Sequence, residues 1–200
     1  MKPILIMAAL LPLYAGAEPS RWQPLFNGKD LAGWSPAPGG KWEVIDGTIT
    51  GTSGKDETRH GLLFSDRTFS DFVVRAQFKV TTGDSGFYFR VRKTASKVGV
   101  QGFQAEVDNT PEVGGLYETA RRAWVRKPDP ALIKRVFKPG DWNLLTVTAI
   151  GDDITVSING VTVTELLGDA ACLKEGHFAL QLHGGQDMHV QFREIAVLEM

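Results

Sequence analysis

Cysteine is almost missing from this chain: Cys172 is the only one in 200 residues. One thiol cannot close an internal disulfide, so the fold must rest on its core, and Cys172 itself reads as a small buried hydrophobe. An excess of charge of one sign is missing too. With 22 Lys and Arg against 23 Asp and Glu, neither a basic face for nucleic acid nor an acidic tail is implied. Tight groupings of His, Cys and carboxylates at transition-metal spacing are absent, which argues against zinc. The G-x-S-x-G elbow, the phosphate-binding loop and the dinucleotide fingerprint are absent as well, so nucleophilic serine chemistry and a nucleotide cofactor are disfavoured. No apolar run reaches the roughly 20 residues that a membrane-spanning helix needs.

What is present begins with Lys2, an apolar run from Ile4 to Leu13 and the small triplet Ala15, Gly16, Ala17. That order is the layout of a secretory signal peptide cleaved after Ala17. It predicts an exported protein, periplasmic or secreted, with one domain from Glu18 to Met200 and no transmembrane segment in the mature chain. No Cys follows the apolar run, so a lipid anchor is not supported.

Two-residue alternation dominates the rest. Phe72, Val74, Ala76, Phe78 and Val80 alternate with Val73, Arg75, Gln77 and Lys79, the clearest strand in the chain. Asp46-Gly47 and Asn159-Gly160 sit between β-prone flanks as two-residue hairpin turns. Leu62 to Phe64 reads as a short strand, and Glu165 to Glu175 has room for a helical turn. Asn109 to Gly140 shows no sustained period and carries seven basic residues between Arg121 and Lys138, which fits a binding loop or lid as well as a solvated basic surface. Many short alternating strands with little helical signal predict an all-β sandwich whose concave outer face binds ligand.

Gly102 to Asp108 (GFQAEVD) carries the most unusual face. Phe103, Ala105 and Val107 point one way; Gln104, Glu106 and Asp108 point the other. The two carboxylates should stand about 6.6 to 7 Å apart at Cβ and raise one another's proton affinity, as a general base requires. In Asp84 to Arg92, Tyr88, Arg90 and Arg92 oppose Phe87, Phe89 and Val91. Arg90 has the donors to hold an oxyanion. The plainer reading is that Arg90 or Arg92 merely neutralises Glu106 and Asp108. His183 shares a strand face with Gln181 and belongs to the residue type that titrates near neutrality; His60 and His189 are weaker candidates. Tyr117 and Trp124 offer rings that can stack on a sugar or pin their loop. Glu106 and Asp108 could also hold a hard cation with loop carbonyls, so the cofactor stays unassigned.

As an ordered series, LFNGKDLAGW (Leu25 to Trp34), WEVIDGTITG (Trp42 to Gly51), GDSGFYFR (Gly83 to Arg90), GFQAEVD, GGLYE (Gly114 to Glu118), KPGDWN (Lys138 to Asn143), ING, LQLHGG and VQFREI resemble the 3-keto-disaccharide hydrolase family. Asp84 and Glu194 stand where that family often has Asn. The resemblance implies a concanavalin A-like jelly roll and cleavage of sugars oxidised at C3. It implies Glu106 or Asp108 as the base at C2, Arg90 as enolate stabiliser, His183 as acid to the leaving oxygen, and Gln104, Tyr117, Arg122 and Trp124 as sugar-binding groups. The rivals are a non-catalytic carbohydrate-binding module and an exported protein that docks a partner through the basic loop.

Overall fold

Residues 22–200 are described by a computed structural model; the expected signal peptide at 1–17 lies outside them. In chain order the strands are β1 (Gln23–Pro24), β2 (Trp34–Pro36), β3 (Lys41–Ile45), β4 (Thr48–Ser53), β5 (Gly61–Phe69), β6 (Phe72–Thr82), β7 (Ser85–Lys93) and β8 (Val100–Val107). After these come β9 (Leu116–Thr119), β10 (Ala123–Arg126), helix α1 (Pro130–Val136), β11 (Asn143–Ile150), β12 (Asp153–Ile158), β13 (Val161–Leu166), β14 (Gly176–Leu182) and β15 (Met188–Glu199).

The strands form two antiparallel sheets. The back sheet runs β13-β12-β11-β6-β15-β4-β3, with β1 added to β15, and the front sheet runs β10-β9-β8-β7-β14-β5-β2. Packed face to face, they make the sandwich that the alternation predicted, with the jelly-roll fold that the family resemblance implied. Asp46 and Gly47 both take positive φ (48° and 73°), as do Asn159 and Gly160 (51° and 83°), so each expected hairpin closes on two residues.

Aromatic residues from both inner faces fill the core. The Phe178 ring of β14 stacks on Phe69 at 4.4 Å and meets Phe72 of β6 edge-on at 4.8 Å. Such pairs add about 0.5–1.5 kcal/mol each beyond burial. A smaller apolar cluster, including Leu62, Phe64, Tyr88 and Val91, lies apart from this core. It marks the outer face of the front sheet, where the Tyr88 side of β7 emerges.

Three expectations are corrected. The Asn109–Gly140 segment holds β9, β10 and α1, with Asp129 capping the helix by accepting from the Ala131 N–H at 2.8 Å. Its strands have four residues each, too few for a visible period. The expected short strand at Leu62–Phe64 runs from Gly61 to Phe69. No helix forms in 165–175: β13 continues to Leu166, and turns follow.

Candidate active site

Alternation places the polar side of GFQAEVD on the outer face of the front sheet, at the floor of a depression of about 370 Å³. Strand β8 supplies Gln104 and Glu106, and Asp108 follows one residue after the strand ends. Cross-strand register then sets their neighbours. Gln104 is flanked by Tyr88 on β7 and Tyr117 on β9, and Tyr117 faces Trp124 on β10. Strand β14 brings Gln181 and, just beyond its end, His183; Asp84 enters from the turn before β7 and His60 from the residue before β5. The remaining wall includes Thr119, Glu112 and Val98.

Burial governs the electrostatics. Glu106 is only 5% exposed and accepts from Gln104 Nε2 at 3.1 and 2.9 Å. Loss of water pushes its carboxyl well above the ordinary range; the neighbouring Asp84 and, more weakly, Asp108 push the same way against the Gln104 bond. Asp84 is raised by burial too, but His183 and a hydrogen bond with Glu106 oppose the rise. Burial thus raises both carboxyls, and Glu106 the more strongly. Burial also raises Asp108, opposed by the Thr110 hydroxyl and backbone N–H that bond its two oxygens.

The two imidazoles stand edge to face, with centroids 4.4 Å apart. Burial, then His183 and Lys97, holds His60 down at about 4, so its ring is neutral at physiological pH. His60 Nδ1 lies 3.2 Å from Gln181 Nε2 and accepts from that amide, which leaves the proton on Nε2. His183 Nδ1 lies 2.9 Å from the Gly184 carbonyl. A carbonyl only accepts, so in this arrangement His183 carries a proton on Nδ1, and Nε2 is the ring nitrogen not bonded to the backbone. The Gln186 amide, 3.1 Å from the same Nδ1, fits with its oxygen turned inward. Tyr88, held at 3.0 Å from Thr119 Oγ1 and 3.1 Å from Gln181 Nε2, is pushed upward by burial and stays a neutral phenol. Tyr117 and Trp124 meet edge-on at 5.5 Å and form an aromatic wall.

Of the expected site residues, Gln104, Glu106, Asp108, Tyr117, Trp124 and His183 all line this depression, whereas Arg90 and Arg122 do not. Arg90 is displaced by a β-bulge. Register against β8 slips by one residue between Phe89 and Arg92, and Arg90 takes a positive φ of 49°. The slip ends the alternation, and the Arg90 side chain, 1% exposed, turns to the core side beside Phe72. There it donates to Ser70 O at 2.7 Å, Gly151 O at 2.9 Å and Asp71 Oδ1 at 2.8 Å. Its ion partner is thus Asp71, not Glu106 or Asp108.

Arg122 is drawn away by Glu118. Tyr117 and Thr119 line the depression, so Glu118 points to the opposite side of β9, where its carboxyl is fully buried between Arg121 and Arg122. Arg122 also forks onto Asp169 at 2.9 and 2.7 Å. Three of the seven basic side chains between Arg121 and Lys138 are held in ion pairs, with Lys127 paired to Glu112.

Sequence reasoning did not assign Asp84, Tyr88, Thr119 or Gln181 to the site. Gln181 was visible through its shared face with His183. Asp84 was not, because it sits in a turn outside any alternation. Among the described residues, no group of three or more His, Cys, Asp or Glu is arranged to hold a metal ion, and no helix is long and apolar enough to cross a membrane.

The family profile described as a 3-keto-alpha-glucoside-1,2-lyase-like domain matches residues 21–198. No curated protein matches the chain. Among solved structures, a candidate glycosyl hydrolase from Parabacteroides distasonis superposes with a TM-score of 0.68 at 20% identity, covering 90% of this chain and 94% of that one. The carbohydrate binding module CBM66 from Bacillus subtilis gives 0.63 at 18% identity, with 84% and 96% covered. The κ-carrageenase of Pseudoalteromonas carrageenovora gives 0.60 at 15% identity, with 96% and 99% covered. At these identities the likeness establishes a shared fold.

Proposed function

The chain belongs to the 3-keto-α-glucoside-1,2-lyase-like family, and from that premise we propose that it cleaves 3-keto-glycosides or 3-keto-disaccharides by removing the C2 proton and eliminating the C1 substituent. The observation that carries the reading is the meeting, in one depression beside an aromatic wall, of a deeply buried carboxyl that burial raises, Glu106, and an imidazole, His183, whose Nδ1 is tied to a backbone carbonyl.

A ketone at C3 acidifies the C2 proton, which His183 Nε2 takes as general base. The C–H electrons pass into an enolate, whose oxygen is held by hydrogen-bond donors: the Glu106 hydroxyl and the His60 Nε2–H are the groups available. Collapse of the enolate forms the C1–C2 double bond and breaks the bond from C1 to the leaving oxygen, which takes up the proton that His183 removed from C2. Water can then add across the double bond. Relative to the sequence expectation, Glu106 changes from base to donor, because burial raises its carboxyl. His183 serves as base before it serves as acid, through the Nε2 that is not bonded to the backbone. Tyr117 and Trp124 orient the sugar. If the signal peptide functions as its layout predicts, the reaction takes place outside the cytoplasm.

The aromatic wall favours a second reading, a carbohydrate-binding module without catalysis. One experiment separates them: purified protein is incubated with a 3-keto-glycoside and with its unoxidised parent, each with and without chelator. Release of the aglycone from the oxidised sugar alone supports the lyase reading. Sugar binding without cleavage under every condition overturns it in favour of the module.

A further inference from the structure

A second depression, of about 520 Å³, opens on the same outer face of the front sheet. Phe64 of β5 lies at its floor, in the apolar cluster that also holds Tyr88 under the first depression. Pro36 of β2 and the loop that joins β7 to β8 wall it in. The two depressions adjoin at two places. Arg59 lines the second and His60 the first; Lys97 and Gly99 line the second and Val98 the first.

Their charges differ in sign. Asp84, Glu106, Asp108 and Glu112 line the first, which has no Lys or Arg in its wall. Arg59, Lys93 and Lys97 line the second, which has no Asp or Glu. Glu57 holds Arg59 in a fork at 2.9 and 2.7 Å, but Lys93 and Lys97 make no ion pair with any described residue. Lys93 Nζ stands 4.9 Å from the centre of the Phe64 ring, above the apolar floor. A cationic rim over such a floor suits a flat ring that carries an anion.

Strand order decides which end of the sugar faces this place. From β10 toward β2, the outer face presents Trp124 and Tyr117, then Glu106 of β8, then His183 and His60 at the ends of β14 and β5, and last Phe64 and Pro36. A sugar seated on the aromatic wall with C2 turned to His183 therefore projects its C1 substituent toward β5 and β2. We infer that the second depression receives the leaving group and selects an aromatic one bearing a carboxylate. The inference rests on the cleavage reading for calling the occupant a leaving group, but not for the binding of the carboxylate. The carboxyls of the first depression disfavour the same anion there, which fixes the orientation of the substrate.

The test compares 4-carboxyphenyl with 4-carbamoylphenyl 3-keto-glucosides, which match in shape and differ in charge. Leaving-group acidity alone favours the amide. The ratio of kcat/KM is measured at about 0.01 M and about 1 M NaCl, where charges are screened over roughly 30 and 3 Å. The carboxylate should be preferred by at least about fivefold at low salt, as two exposed cations can supply, and by less than about twofold at high salt. Lys93→Gln combined with Lys97→Gln should erase the preference, and the corresponding Glu pair should reverse it. Calorimetry with the two unoxidised glucosides, which lack the ketone and are not cleaved by this route, should show the same preference as affinity. Equal handling of acid and amide in both measurements would overturn the inference. So would a preference that persists in the double Gln variant, or neither binding nor cleavage of any of the four glucosides. An affinity preference that follows the two lysines, with no 3-keto-glucoside cleaved, would overturn the cleavage reading alone.

Discussion

Arg90 Nη2 and Asp71 Oδ1 lie 2.8 Å apart on the core side of the front sheet, while Glu106, on the adjacent strand, opens to the other side. One inserted residue in β7 separates the two groups that strict alternation would have put together. Arg90 thereby ties Ser70, Asp71 and Gly151 to the end of β7 and serves the fold.

Arg90→Met should consequently cost about 1–3 kcal/mol for each backbone carbonyl left without its donor, since Asp71 itself can turn to water. Urea denaturation measures that loss, and sugar affinity per folded molecule should stay at the parent level. Lost affinity with stability unchanged would return Arg90 to the binding site.

Glu106→Gln should stabilise the protein increasingly as pH rises. The folded carboxyl keeps its proton above the value of 4.5 expected of an ordinary Glu. Between that value and the raised folded one, the unfolded chain has released a proton that the folded chain retains. The parent therefore loses stability on going up through this window, and the Gln variant does not. Their melting temperatures should diverge between pH 4 and pH 8, by about 2–4 °C for each kcal/mol relieved. Asp84→Asn, which removes the neighbouring negative charge, should reduce the same divergence. An offset that is constant with pH would show that the Glu106 carboxyl is not raised in the fold.

His183→Ala should lower kcat on a 3-keto-glycoside by about 10²–10⁴, the range for loss of a general base. Single-turnover rates on folded protein measure it. A fall of less than tenfold would leave the imidazole out of the proton transfer and point to Asp108 as the base.

The alternation of Phe72 to Val80 and of Phe103 to Asp108, together with the two hairpin turns, depends on neighbours two residues apart, and it was readable without coordinates. The same locality explains the failures. A strand pattern continued through Arg90 predicts the wrong face, because a bulge is defined only against the partner strand's register. The four-residue strands β9 and β10 hold too few positions to show a period. Arg122 was assigned to the sugar because its partners, Glu118 and Asp169, are separated by 51 positions (169 − 118) and meet only in the fold.

The sequence by itself thus determined the class of fold, the polar face of β8 and the family, since these are written in residues that act locally or in ordered motifs. Tertiary structure decided the chemistry of that face. It removed both arginines, and it brought in Asp84, His60 and Gln181 from a turn, a loop end and a distant strand. It also left Glu106 only 5% exposed, which raises the carboxyl that alternation presented as a base.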